Sequence, residues 1–198
     1  MTVSSVKTGT ESISLLAGNM PVGNGFELIA STVLSSTAST VTFTSIPSTY
    51  KNLQIRAIAR SSSNGNLDDI AWRFNSDTGT NYSVHYLYAN GDGSVYTTSG
   101  TNTSSAANAR IAAATAISNA FGVGVIDIID YSDTNKYKTI KTISGYDNNA
   151  NDGSSQIFFS SSSWRSTSAI TSIDLFSGNG GGRVFLQYSH FALYGIVG

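Results

Sequence analysis

Lys51-Asn52-Leu53-Gln54-Ile55-Arg56-Ala57-Ile58-Ala59-Arg60 alternates along its whole length. Leu53, Ile55, Ala57 and Ala59 fall on one side, and Asn52, Gln54, Arg56, Ile58 and Arg60 on the other. Side chains point to opposite faces at a period of two only in an extended strand, so this stretch predicts a half-buried β-strand.

The same signal recurs on both sides of it. Upstream, 27–34 and 40–46 are rich in β-branched residues, and Pro47, which has no N–H for a ladder, ends the second run. Downstream, 70–75 places Trp72 and Phe74 on one face and Arg73 on the other, and 82–89 alternates through Tyr82, Val84, Tyr86 and Tyr88. Asn90-Gly91-Asp92-Gly93 predicts a hairpin with positive φ at both central positions, with 95–98 as the return strand. Residues 61–66, 99–107 and 147–154 read as polar loops. The alanine-rich stretch 109–116 fits a strand or a short helix. Residues 121–131 form a long Val/Ile run that predicts a strand covered on both faces, with Gly122 and Gly124 marking a bulge or a close approach. Further strands are expected at 136–146, 156–160 and 170–176, and a long one, bent near Ser189, at 183–197.

Roughly ten strands spaced in this way, with no repeat of fixed period, predict an all-β fold: a jelly-roll-like antiparallel β-sandwich. Its expected extent is one domain over 27–198. Residues 1–26 differ. Ile13, Leu15, Leu16, Met20, Val22 and Phe26 are scattered among glycines, Pro21 and polar residues, which predicts an extended N-terminal arm with separate apolar anchors. The arm can pack on its own domain or dock on a neighbour.

Composition supports the class and excludes several functions. The chain of 198 residues is 40% hydrophobic and only 12% charged, with two glutamates, Glu11 and Glu27. That is about half the ordinary share of charge. A net charge of −1, with eleven basic residues against twelve acidic ones, gives no footprint for nucleic acid. No apolar run approaches the ~18 residues of a membrane helix, and no signal peptide is visible. The expectation is a protein made in the cytosol, with no membrane partner.

Searching for chemistry returns little. Cysteine is absent, which removes disulfides, thiolate catalysis and cysteine-ligated zinc. His85 and His190, the only histidines, are far apart in sequence and lie in no metal-ligand motif. Asp147-Asn148-Asn149-Ala150-Asn151-Asp152-Gly153 offers oxygen ligands for calcium but lacks the helix-loop-helix spacing, and reads first as a solvated turn. Asp127 and Asp130 are the only close acids in an apolar run, and a spacing of three puts them on opposite faces of a regular strand. No Gly-x-Ser-x-Gly elbow and no phosphate loop is present. The chain therefore reads as a non-enzyme without cofactor or metal.

Two binding features remain. Arg56, Arg60 and Arg73 lie on polar strand faces and could form an arginine ladder toward aspartates of this or another subunit. Together with the arm anchors they are the candidate assembly residues. Tyr82, Tyr86, Tyr88, Tyr96, Trp72 and Trp164, with the Asn- and Asp-rich stretches 90–104 and 146–155, could serve glycan stacking, Tyr96 being the best placed for exposure.

Several blocks resemble a group of virion proteins of tailed bacteriophages. These are Ile46-Pro47-Ser48-Thr49-Tyr50-Lys51-Asn52-Leu53-Gln54-Ile55-Arg56, Arg73-Phe74-Asn75-Ser76-Asp77-Thr78-Gly79-Thr80-Asn81-Tyr82 and Asp130-Tyr131-Ser132-Asp133-Thr134-Asn135-Lys136-Tyr137-Lys138-Thr139. Two more follow: Trp164-Arg165-Ser166-Thr167-Ser168-Ala169-Ile170-Thr171-Ser172-Ile173 and the closing Phe191-Ala192-Leu193-Tyr194-Gly195-Ile196. The resemblance covers 27–198 in order and implies a structural part of a virion. It would be a capsid decoration or cement protein, homotrimeric and docked through its arm, or else a tail, neck or fibre component that binds a host-surface glycan. It supplies no catalytic residues.

Overall fold

A computed structural model describes residues 25–178 and 181–197, and among these the chain is all strand and loop, with no helix. In chain order the strands are β1 (Phe26–Val33), β2 (Thr40–Phe43), β3 (Asn52–Ala59), β4 (Leu67–Phe74), β5 (Tyr82–Asn90) and β6 (Val95–Thr103). They continue as β7 (Ala106–Ala112), β8 (Gly122–Ile129), β9 (Lys138–Tyr146), β10 (Gln156–Trp164), β11 (Ile173–Ser177) and β12 (His190–Ile196).

The twelve strands form two antiparallel sheets. The larger runs β1-β12-β3-β8-β9-β10-β5-β6 and the smaller β2-β11-β4-β7. The expected β-sandwich is present. Its twelve strands are split eight and four, against the eight strands over two sheets of a jelly roll.

Leu53, Ile55, Ala57 and Ala59 all face inward and are essentially inaccessible, as the alternation requires. They meet Ile126, Ile128 and Ile140 from the large sheet and Ile70, Trp72, Ile111 and Leu175 from the small one. One end of this core is aromatic. Phe74, Tyr82 and Trp164 have ring centroids 5.5–6.4 Å apart, and the Trp164 indole N–H donates to Asp77 Oδ2 at 2.7 Å.

Four local expectations are corrected, and the open choice between strand and helix at 109–116 is settled. Stretch 99–107 is mostly strand, because β6 runs to Thr103 and β7 starts at Ala106. β6 is an edge strand with little to bury, so its hydroxyl-rich sequence carries no apolar period. The alanines of 109–116 join β7 up to Ala112, since small side chains let the sheets approach closely here. Four residues, 91–94, separate β5 from β6, and among them Gly93 (φ 85°), not both central positions of the turn, takes positive φ. The final strand begins only at His190. Before it, Tyr188 sits at φ 71° and Phe185 bridges to Ala38 and Ser61.

The last correction matters for function. β8 is covered on one face only: Gly122, Gly124, Ile126 and Ile128 are buried, whereas Val123 and Ile129 are exposed.

Candidate functional site: the outer face of the large sheet

The strand register places the outward residues of the large sheet in rows that cross it. One row reads Ile58, Val123, Gly145, Ile157, Ala89 and Val95 from β3 to β6. The next reads Arg56, Val125, Ile143, Phe159, Leu87 and Thr97. The third is polar: Gln54, Asp127, Lys141, Ser161, His85 and Ser99.

The first two rows form a continuous apolar surface. Ile58, Val123, Ile157, Ile143, Phe159 and Leu87 are each 44–54% exposed. Isolated exposed apolar side chains are ordinary, but six on neighbouring strands in adjacent rows are a patch, and patches of this kind mark interaction surfaces. Two shallow hollows of about 770 and 660 Å³ lie on this face and meet at Ile143. His85, Asp127 and Lys141 rim the first, while Val123, Val125 and Ile157 line the second.

Asp127 accepts from Gln54 Nε2 at 2.7 Å, and Gln54 Oε1 accepts from Arg56 Nε at 2.7 Å. The Arg56 guanidinium also lies 4.9 Å from the ring centroid of Phe26 and 4.8 Å from that of Tyr194. Lys141 is exposed and has no ion-pair partner among the described residues.

The candidate residues distribute unevenly over this frame. Ile13, Leu15, Leu16, Met20 and Val22 lie outside the described residues. Phe26 is not part of an arm; it opens β1 and packs at the margin of the outer face. Arg56 belongs to that face. Arg60 does not, because its guanidinium is buried and donates to the carbonyls of Ala114, Ala116, Ile117 and Ala120 at 2.7–3.2 Å. Arg73 lies on β4 in the other sheet, donates to the Ser104 carbonyl and sits 4.6 Å over the Phe176 ring. The arginine ladder is thus corrected: nearness in sequence does not survive the crossing between sheets.

Chemistry on other elements is accounted for by structure. His85 and His190 lie on β5 and β12, five strand positions apart in the large sheet. Asp130, beyond the end of β8, pairs with Lys51 at 2.7 Å and Lys136 at 2.5 Å, and these lysines hold its carboxyl down to about 2. In 146–155 the carboxylates cap turns: Asp147 accepts from the Asn149 N–H, and Asp152 from the Ser154 N–H. No group of three or more His, Cys, Asp or Glu that could hold a metal occurs among the described residues. Trp72, Tyr82 and Trp164 are buried in the core and offer no platform. Tyr88 and Tyr96 do stack at 5.1 Å near the β6 edge, with Tyr96 46% exposed.

One half-buried pair carries a pH signature. Asp69 on β4 sits opposite Arg110 on β7 and bonds its Nη1 at 3.1 Å. Burial pushes the Asp69 carboxyl up to about 6; Arg110 offsets part of this, and Asp68 adds to it. An acid whose folded value is raised holds an extra proton in the native state. Its contribution to stability is therefore greatest in acid and declines as pH rises from about 4 through 6. Asp130 acts in the opposite sense, losing its contribution as pH falls from about 4 toward 2. Urea unfolding at pH 5 and 7.5 should show the wild type more resistant at pH 5, and Asp69→Asn should flatten that difference. An unchanged slope in the variant assigns the effect elsewhere.

Comparison with protein-family models, curated proteins and solved structures finds no match for the chain.

Proposed function

We propose that this protein is a non-enzymatic structural component of a bacteriophage virion, a capsid decoration or cement module that works by associating with itself and with the shell. The observation that carries the assembly half is the apolar outer face of the large sheet, with Val123, Ile143, Ile157 and Phe159 at its centre. Its breadth and apolar character suit a protein partner. The virion half is supported by the sequence blocks alone. A neutral, disulfide-free β module suits such a particle, which is assembled in the reducing host cytoplasm.

The second reading is a tail, neck or fibre component that binds a host-surface glycan. The stacked Tyr88–Tyr96 pair at the exposed sheet edge favours it.

Cryo-EM of gradient-purified particles from cells producing the chain separates the two. Regular density on the capsid lattice, lost with Val123→Lys/Ile143→Lys, is the expected result. Density confined to the tail moves the assignment to the second reading. Absence of the chain from particles sinks both.

A further inference from the structure

We infer that the outer face of the large sheet is a self-complementary interface, which pairs two copies of this chain around a two-fold axis running along the strands between β8 and β9. This deepens the assembly reading above and rests on it.

Two sheets packed face to face through the same patch must be related by a two-fold axis lying in the interface. Place that axis between β8 and β9, parallel to the strands. Each strand then faces its mirror position: β9 faces β8, β10 faces β3, and β5 faces β12 of the second copy, as the sheet order dictates. The rows superpose without frustration. Lys141 meets Asp127 of the second copy, and Asp127 meets its Lys141, giving two ion pairs from one operator. Ile143 meets Val125, Gly145 meets Val123, and Ile157 meets Ile58. Phe159 meets Arg56, whose guanidinium already stacks on aromatic rings within its own chain. Aligned sheets cross at about 30°, which displaces pairings least beside the axis, where the charges lie.

Area and charge both favour a second copy over another partner. The six strands from β12 to β5, at ~4.8 Å, with four outward positions each at ~6.7 Å, cover about 770 Å² per copy. The pair thus buries about 1,500 Å², within the range of specific complexes. The face carries Lys141 and Arg56 against Asp127, so no single-sign field selects a strongly charged partner. A flat patch that matches itself closes at two copies, which argues for a pair rather than the expected trimer as the elementary unit.

The test uses the full chain and its charge variants. Asp127→Lys sets lysine against lysine twice across the axis, and Lys141→Asp sets aspartate against aspartate twice. Both positions are on the outer face, and circular dichroism checks that each variant folds. Analytical ultracentrifugation should find the wild type dimeric and each variant weakened roughly 10- to 100-fold in Kd. An equimolar mixture of the two variants should recover the wild-type affinity, because only the mixed pair restores both attractive contacts. A wild type that stays monomeric at tens of micromolar overturns the proposal and leaves the face to another occupant. Variants that dimerise unimpaired, or a mixture that fails to recover, overturn the placement of the axis and with it the proposal. The two readings fail separately. A dimer that never purifies with particles refutes the virion role, whereas a monomer found on particles refutes only the pairing.

Discussion

Arg60→Ala should lower the unfolding free energy by about 3 kcal/mol or more, among the largest effects of any single side chain outside the hydrophobic core. The guanidinium donates four hydrogen bonds to the main-chain carbonyls of Ala114, Ala116, Ile117 and Ala120, while only 9% of the residue is exposed. It shapes the loop between β7 and β8, so truncation leaves one buried carbonyl, that of Ala116, and three part-buried ones without this donor, at a cost of about 1–3 kcal/mol for each that water cannot reach. Arg60→Lys should recover only part of the loss, since an ammonium on a flexible stem lacks the planar fork that spans four acceptors. Urea denaturation measures the global effect, and amide exchange at residues 113–120 should accelerate locally. A loss below about 0.5 kcal/mol, the size of an ordinary surface change, refutes the assignment.

Arg60 also shows where sequence reading stops. The alternation of 51–60 predicts it on the outward face with Arg56, but β3 ends at Ala59, one residue short of it. Nothing local reveals that a loop more than fifty residues later folds its carbonyls around the guanidinium. The same limit dissolved the arginine ladder, because β3 and β4 are consecutive in sequence yet belong to different sheets. Short-range periodicity reports which face a side chain takes. It does not report which strand lies next to it, and β3 pairs with β8 and β12 across long separations.

The outer face was half legible. Ile58 stands out as an apolar residue on an otherwise polar strand face, and the Val/Ile run of β8 reads as a strand covered on both sides. The fold supplies only one of those covers, the small sheet and its core. The remaining apolar demand of Val123 and Val125 is what the proposed second copy would meet. β6 leaves little trace in the sequence for the opposite reason: an edge strand that buries little needs no hydrophobic pattern.

Gly122 and Gly124, two residues apart on the inward face of β8, should respond very differently to alanine. The β8 ladders to β3 and β9 run without a register shift, so neither glycine marks a bulge. What sets them apart is the strand opposite. A Cβ on Gly122 would lie 2.4 Å from Ile111 Cα and 2.9 Å from the Ala112 nitrogen, both backbone atoms of β7. Backbone in a paired strand cannot swing aside as a side chain does, so Gly122→Ala must push β7 away from β8. Overpacking costs typically 1–3 kcal/mol, and this site should reach about 3 kcal/mol or exceed it. On Gly124 the nearest neighbour is Ala109 Cβ at 3.3 Å, a contact that relaxes with a shift of a few tenths of an ångström. Gly124→Ala should therefore cost no more than about 1 kcal/mol, and the strand-interior preference for alanine over glycine offsets part of that. Thermal unfolding of the two variants in parallel gives the comparison. The alanine-rich sequence of β7 follows from the same geometry: the sheets approach too closely here for larger side chains, which turns a helix-favouring composition into a strand. Equal, small losses at both positions would mean that β7 can retreat freely, and would remove this explanation for its alanines.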